Sequence, residues 1–262
     1  MDGRTAARAL VGELATELDR LGSPPVTLAT VVVGGGPPEH RDAGRKHRAA
    51  AEAGMRIHHL ALPADISQDR LEGTLVSVAA DPAVHGVFLQ LPVPECLDSA
   101  SALDGVPLDK DVDGLSRESL ALLRRGRPVH IPAAALALRC LLARYEIPLS
   151  GRDVVVVGTS PVVTVALILT LAGQGAMVTL ADPDSPDLPA ITRGGDILVS
   201  AAGRPGLITA AHVRPGAAVV DAGSVDAVAR ALAPMPGGLG PMTVACLLRN
   251  TVEAARRLGA LG

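Results

Sequence analysis

The stretch GRDVVVVGTSPVVTVALILTLAGQGAMVTLADPD, residues 151–184, decides the fold class. Its β-branched run over 151–160 contains a glycine at its end, which predicts a short buried strand. The apolar residues of 162–175 predict a helix, and residues 176–184 predict a second strand. Strand, helix and strand in this order predict two parallel strands joined by a crossover helix.

The segments that follow extend this pattern. Residues 195–203 and 216–224 predict two further strands, and 244–258 predicts an amphipathic helix that closes the chain. The order of these elements is typical of a Rossmann-type dinucleotide-binding domain.

The N-terminal half predicts a second parallel sheet. A helix over 1–21 opens the chain, and three predicted strands then alternate with helices over 38–53 and 68–81. The three strands lie at 26–36, 55–63 and 84–92. With 262 residues, the chain is long enough for two α/β domains, each with its own core.

Composition excludes several classes of protein. A net charge of -3 without a basic stripe argues against a nucleic-acid partner. The three cysteines, Cys96, Cys140 and Cys246, are far apart and odd in number, so we expect small buried side chains and neither a disulfide framework nor a metal site. With no signal segment and no run long enough to span a bilayer, we expect a cytoplasmic protein without a membrane partner.

Lysine is rare in this chain. Of 24 cationic residues only Lys46 and Lys110 are lysines, and the others are arginines. Arginine cannot lose its proton in a protein, whereas burial can tune a lysine to act as a base or a proton donor. Lys46 is therefore a candidate for proton chemistry, with a solvated helix cation as the alternative.

Five motifs in one order carry a resemblance to a known family. They are VVVGGGP with Lys46 downstream, GVFLQLPVPECLD (86–98), PLDKDVDGL (107–115), VVVVGTS (154–160) and PGGLGPMTVACLLRNT (236–251). Together they resemble the bifunctional methylenetetrahydrofolate dehydrogenase/cyclohydrolase family, and the resemblance covers essentially the whole chain.

The resemblance implies a substrate domain at 1–130 with 242–262, and a Rossmann NAD(P)-binding domain at 131–241, in a homodimer. It implies that 5,10-methylenetetrahydrofolate loses a hydride to a nicotinamide, and that the methenyl product is hydrolysed to 10-formyltetrahydrofolate.

The resemblance also implies roles for individual residues. Lys46 matches the cyclohydrolase lysine, Gln90 the glutamine of Q-L-P that can hydrogen-bond it, and Asp113 the aspartate that holds the pterin. Plainer alternatives are an amide that caps a strand end for Gln90, and structural loop roles for Lys110 and Asp111. On the substrate side, Gly237, Gly238 and Pro241 match a loop where missing side chains let backbone approach a ligand.

This sequence departs from the family pattern close to the chemistry. Asp42 stands where the family has tyrosine and Glu39 where it has serine, and Ala133 and Ala137 replace a cysteine and a glycine. Asp42 would lie in the substrate site, four residues before Lys46 on a helix, a spacing that allows an ion pair. That pair would raise the pKa of Lys46 and oppose a neutral base. Alternative functions are therefore an enzyme for a different one-carbon or pathway-specific substrate, an enzyme that retains part of the reaction, or a non-catalytic binding subunit.

The cofactor loop also departs from the pattern. Gly158, Thr159 and Ser160 match its start, with Thr159 in place of an arginine that could neutralise a 2′-phosphate. Asp182 ends the next strand, where an acid binds the ribose 2′-hydroxyl of NAD and repels the 2′-phosphate of NADP. Ser224 ends a later strand and completes the predicted cofactor set. NAD is therefore expected over NADP, unless Asp182 serves only to cap the following turn.

Overall fold

The chain forms two compact units in a computed structural model. The structure describes residues 1–34, 37–160, 162–204, 206–222, 228–234 and 236–261, without the side chains of 37–42 and 221–222. The first unit comprises residues 8–133 with 244–262, and the second unit comprises residues 1–7 with 134–243. The functional domain boundaries at 130/131 and 241/242 stay a prediction.

The first unit is built around a small parallel sheet. In chain order its elements, with the helix that opens the chain, are α1 (Gly3–Arg20), β1 (Thr27–Val33), α2 (Pro37–Glu52), β2 (Arg56–Leu62), α3 (Gln68–Ala80), β3 (Gly86–Leu89), α4 (Ser99–Asp104) and α5 (Arg117–Arg124). The strand order is β2-β1-β3, and both pairings are parallel. β1 is therefore central, and six of its seven residues are buried, as an apolar strand covered on both faces requires.

The second unit is built around a larger parallel sheet. Its elements, with the helix that closes the chain, are α6 (Ala133–Arg144), β4 (Asp153–Val157), α7 (Val163–Gly173), β5 (Met177–Ala181), α8 (Leu188–Thr192), β6 (Ile197–Ser200), β7 (Ala218–Ala222), β8 (Ala231–Pro234) and α9 (Leu239–Arg257). The strand order is β5-β4-β6-β7-β8, with every pairing parallel. The structure thus confirms the predicted α/β class with two parallel sheets.

Short elements escaped prediction. The helices α4, α5 and α8 and the strand β8 have four to eight residues each, too few to display a helical or alternating period. One expectation about side chains is wrong, since Cys96 is exposed, whereas Cys246 is buried. Within the described part of the chain, no helix combines the length and the apolar character needed to cross a bilayer.

A buried carboxylate organises the loop between α4 and α5. Asp111 is 1% exposed, and its side chain accepts hydrogen bonds from the backbone N–H of Gly114 at 3.1 Å and of Ser116 at 3.0 Å. The Ser119 hydroxyl donates to the same carboxylate at 2.6 Å. Because Asp111 also bridges to Val87 of β3, this network fixes the loop against the sheet.

We expect Asp111→Ala to lower the free energy of unfolding by about 3 kcal/mol, because several buried donors lose their acceptor together. Urea denaturation followed by circular dichroism measures the change. Asp65→Ala removes an exposed aspartate of the same unit, and we expect it to change stability by less than about 0.5 kcal/mol. Equal stability of the two variants would contradict a structural role for Asp111.

Candidate active site

Lys46 lies on α2 with its ammonium in a largely desolvated position. The residue is 8% exposed, and Nζ donates a hydrogen bond to Oε1 of Gln90 at 2.7 Å. The same nitrogen lies 4.8 Å from the centroid of the Phe88 ring, a distance at which a cation is attracted to the ring face. Burial lowers the pKa of Lys46 to about 8, against the opposing attraction of Asp113.

Gln90 is positioned by the sheet. It directly follows β3, and its backbone N–H donates to the carbonyl of Val31 in β1 at 2.8 Å. Its side-chain Nε2 donates to the carbonyl of Leu91 at 2.9 Å, which leaves Oε1 directed at Lys46. The amide therefore contacts the lysine at the carboxyl end of a parallel strand, the end at which open α/β sheets bind their ligands.

Asp113 is a partly buried carboxyl group close enough to influence Lys46. Burial, followed by the negative charge of Asp111, raises the pKa of Asp113 to about 7, although a hydrogen bond from the Ala133 backbone and the charge of Lys46 lower it. The loop at Asp113 is held from a second side by Asn250 of α9, which donates to the carbonyls of Val112 at 2.8 Å and Ile131 at 2.9 Å.

Sequence reasoning assigned no role to two residues of this site, Phe88 and Asn250. Ala133 was named only as a departure from the family pattern close to the chemistry. A buried amide in an otherwise apolar helix stripe is the signal that could have identified Asn250, since such a group needs hydrogen-bond partners.

Lys110 is hydrogen-bonded to backbone carbonyls and, within the described residues, not to site side chains. Its ammonium donates to the backbone carbonyls of Ala79 at 2.7 Å and Asp81 at 2.9 Å, at the C-terminal end of α3. A cation at this end satisfies carbonyls that have no partner within the helix. The geometry favours the structural alternative for Lys110, as the hydrogen bonds of Asp111 do for that residue.

The family departures at 39 and 42 fall where the side chains lie outside the described residues. The pairing of Asp42 with Lys46 and the assignment of Asp42 to the substrate site therefore stay predictions. The pKa of Lys46 nevertheless lies below its ordinary value, which is the opposite of the direction expected from an ion pair alone.

The glycines at 237 and 238 meet the chain's own N-terminal segment. A Cβ on Gly238 would lie 2.8 Å from the Pro234 carbonyl oxygen, and a Cβ on Gly3 would overlap the Gly238 carbonyl. Close approach at this loop is thus observed between backbone segments of the second unit. Pro241 lies in the first turn of α9 and is partly exposed, and the roles of all three residues toward a substrate stay predictions.

The turn between β4 and α7 fits the phosphates of a dinucleotide. A Cβ on Gly158 would lie 3.0 Å from the Thr164 hydroxyl and 3.3 Å from the side chain of Ala201, so any larger residue at this strand end would require these neighbours to shift. The buried Thr164 hydroxyl has no hydrogen-bond partner among the described residues, and the Ser160 hydroxyl accepts from the N–H of Val163. A helix N-terminus in this position attracts phosphate oxygens.

Of the remaining predicted cofactor residues, two lie just beyond strand ends and one lies outside the residues that the structure describes. Thr159 and Asp182 are both exposed, and Asp182 directly follows β5. Oδ1 of Asp182 accepts a hydrogen bond from the backbone N–H of Asp184 at 2.8 Å, so the turn-capping alternative is realised while the second carboxylate oxygen is left for other contacts. Ser224 lies outside the described residues.

Comparison with known proteins agrees with this geometry. Residues 1–113 match the model of the tetrahydrofolate dehydrogenase/cyclohydrolase catalytic domain, and residues 132–258 match that of the NAD(P)-binding domain of the same family. Bifunctional protein FolD 2 of Frankia casuarinae is 44% identical over 275 residues, which cover 98% of this chain and 95% of the relative.

Two solved structures have the same fold over nearly the whole chain. The bifunctional FolD of Campylobacter jejuni has a TM-score of 0.90 and 30% identity, with 98% of each chain covered. The FolD of Trypanosoma brucei, solved with NADP and an inhibitor, has a TM-score of 0.90 and 31% identity over 98% of this chain and 97% of that one. Because both domain models match and the relatives align end to end, the chain belongs to the tetrahydrofolate dehydrogenase/cyclohydrolase family.

Proposed function

We propose that this protein oxidises 5,10-methylenetetrahydrofolate with a nicotinamide dinucleotide and hydrolyses the methenyl product to 10-formyltetrahydrofolate. The observation that carries the proposal is the buried contact between the Lys46 ammonium and the Gln90 amide, 2.7 Å apart at the carboxyl end of β3. Membership in the family and the match to the bifunctional relatives support the same two reactions.

Lys46 is the proposed base of the hydrolysis. With a pKa of about 8, roughly one tenth of the lysine is neutral at pH 7, far more than for a lysine at its ordinary value. The neutral amine can take a proton from the water that attacks the methenyl carbon. Gln90, which accepts from the ammonium, holds the nitrogen in place through this change of charge.

Asp113 is proposed to hold the pterin. A carboxyl group accepts hydrogen bonds from an aminopyrimidine edge when ionised, and it gains a donor when protonated. Its pKa of about 7 makes both forms available near neutral pH. Gly237, Gly238 and Pro241 are proposed to contribute the substrate-side loop, and Asp42 the position next to Lys46.

The second unit is proposed to bind the dinucleotide, with NAD preferred over NADP. Gly158 and Ser160 stand at the phosphate turn, and Ser224 is proposed to complete the site. A bound nicotinamide would supply the hydride acceptor, and the task of the chain itself would be to position the two reactants and exclude water. The acid at Asp182 and the loss of an arginine at Thr159 both disfavour a 2′-phosphate.

We also propose a cytosolic homodimer that associates through the second unit. Met177 and Leu180, on the edge strand β5, are 63% and 52% exposed, and large exposed apolar side chains on an open sheet edge are a common basis for association.

The central test incubates purified protein with 5,10-methylenetetrahydrofolate and either NAD+ or NADP+, and records reduced nicotinamide and methenyl absorbance together. A rise in reduced nicotinamide supports the dehydrogenase, and decay of added methenyltetrahydrofolate above the buffer rate supports the cyclohydrolase. Absence of both, with a folded protein, would overturn the proposal.

We expect Lys46→Arg to lower methenyl hydrolysis by roughly 10²- to 10⁴-fold, because a guanidinium keeps a positive charge but cannot take a proton. Stopped-flow absorbance measures the rate. Lys110→Arg is the matched control, since it makes the same change at the other lysine, and we expect it to retain hydrolysis within about threefold once folding is verified. A Lys46→Arg enzyme as fast as the control would exclude Lys46 as the base.

The rate of methenyl hydrolysis is expected to depend on the protonation of Lys46. A base is active when neutral, so the rate should rise with pH and level off above about pH 8, the pKa of Lys46. The pH profile of kcat/KM, which reports the free enzyme, checks this once it is corrected for spontaneous hydrolysis. A profile that falls between pH 7 and 9 would instead assign the active form to the ammonium.

Leu180→Asp is expected to convert the dimer into a monomer, because the new charge would be buried without a partner in the contact. Light scattering after size exclusion would give twice the 26.6 kDa chain mass for the original protein and one chain mass for the variant. Val76→Asp, at an exposed valine of the first unit, should leave the mass unchanged. An original protein of one chain mass would refute the dimer.

A further inference from the structure

The turn after β5 carries a second acidic residue, Asp184, on a hydrogen-bonded backbone. Within the sequence DPDS of residues 182–185, the N–H of Asp184 donates to Oδ1 of Asp182 at 2.8 Å, and the N–H of Ser185 donates to the Asp182 carbonyl at 3.1 Å. These two hydrogen bonds, with Pro183 between the acids, restrict the backbone on which the Asp184 side chain stands.

Arg204, in the segment after β6, makes a bidentate interaction with the Asp184 carboxylate. Nη1 donates to Oδ1 of Asp184 at 2.5 Å and Nη2 donates to Oδ2 at 3.0 Å. This parallel pair of hydrogen bonds is the geometry in which arginine binds carboxylates and phosphates. The guanidinium holds the pKa of the Asp184 carboxyl below its ordinary value.

The Asp184–Arg204 pair lies at the end of the sheet where a dinucleotide is expected to bind. β5 and β6 both pair with β4, so the Asp182 turn and Arg204 lie at the carboxyl ends of the strands that flank the phosphate turn at Gly158. In a dinucleotide-binding sheet, the end of the strand next to the first one receives the adenosine ribose, and an arginine there is what accommodates a 2′-phosphate. Arg204 follows β6, on the other side of β4, but its hydrogen bonds to Asp184 place its guanidinium beside the end of β5, where both nitrogens already have an acceptor.

We propose that Asp184 determines the cofactor specificity of this enzyme by occupying the Arg204 fork that would otherwise bind the 2′-phosphate of NADP. A 2′-phosphate has to displace the Asp184 carboxylate and then lie beside that carboxylate and Asp182. With two acids and one guanidinium, the local charge is unfavourable for a dianion, whereas the ribose hydroxyl of NAD needs only an acceptor. The inference rests on the proposed function, since it presupposes a dinucleotide in the second unit.

The Asp184–Arg204 pair can be removed without threatening the fold. Both side chains are more than half exposed, at 69% and 51%, and exposed ion pairs contribute little to stability. Asp184→Asn keeps the size of the side chain and the backbone N–H bonded to Asp182, and it removes only the charge that neutralises Arg204.

Isothermal titration calorimetry of the full-length protein with NAD+ and with NADP+ tests the inference as binding, independent of turnover. We expect Asp184→Asn to lower the ratio of the NADP+ Kd to the NAD+ Kd at least tenfold, and the double variant Asp184→Asn, Arg204→Leu to restore the original ratio. Titration with 5′-AMP and with adenosine 2′,5′-bisphosphate isolates the phosphate, because these ligands differ only by that group, and the same shift is expected there.

Asp104→Asn is the matched control, because Asp104 accepts from Arg117 at 2.7 Å in an exposed pair of the first unit, and it should leave the ratio unchanged. If the original protein binds NAD+ but Asp184→Asn moves the ratio less than twofold, the inference fails while the proposed function stands. The inference also fails if the double variant keeps the gain. If the original protein binds neither dinucleotide, both the proposed function and the inference fail.

Discussion

The candidate chemistry of this protein depends on one desolvated ammonium group. Burial removes water from Nζ of Lys46 and favours the neutral amine, while the nearby Asp113 carboxyl favours the charged form. Desolvation is the largest influence, the charge of Arg45 adds to it, and together they outweigh Asp113 to give a pKa of about 8. An exposed lysine beside the same carboxyl would remain charged over the whole physiological range. The residues that contact Nζ, including Phe88 with its ring centroid 4.8 Å away, are therefore part of the candidate site together with the nitrogen itself.

The fold provides this environment from a helix, the end of a strand and a loop that buried hydrogen bonds hold in place. Gln90 is one residue beyond β3, and its N–H continues the hydrogen bonding of the sheet to Val31. The backbone on each side of Asp113 is held by a hydrogen bond. Asp111 accepts from N–H groups that follow Asp113 in the chain, and Asn250 donates to the carbonyl of the residue before Asp113. A site held within a fraction of an ångström needs this kind of support, because small displacements weaken catalysis sharply.

The sequence predicts the long elements, and two of the residues it selects, Lys46 and Gln90, lie in contact in the structure, but it fails where information lies in tertiary contacts. Buried parallel strands leave continuous β-branched runs that are recognisable in isolation, so β1 and β4 were found close to their observed bounds. The environment of Lys110 was not predictable, because its acceptors, Ala79 and Asp81, lie about 30 residues earlier in the chain. The pairing of Asp184 with Arg204, 20 residues apart, likewise depends on strand order, which no local pattern encodes.

The contrast between the two lysines shows why residue type alone does not assign a catalytic role. The chain uses arginine where a planar fork meets an exposed carboxylate, as at Arg204 and Arg117, and lysine at two buried positions where one compact nitrogen fits. Lys110 donates to two backbone carbonyls at the end of α3, which ties its nitrogen to the main chain of the fold. Lys46 instead faces a side-chain amide and an aromatic ring, neither of which requires a full positive charge. Burial lowers the pKa of both lysines, so position, rather than the rarity of lysine, is what favours Lys46 as the base. Its nitrogen contacts Gln90 at the carboxyl end of β3, whereas the nitrogen of Lys110 is hydrogen-bonded to main-chain carbonyls at the end of α3.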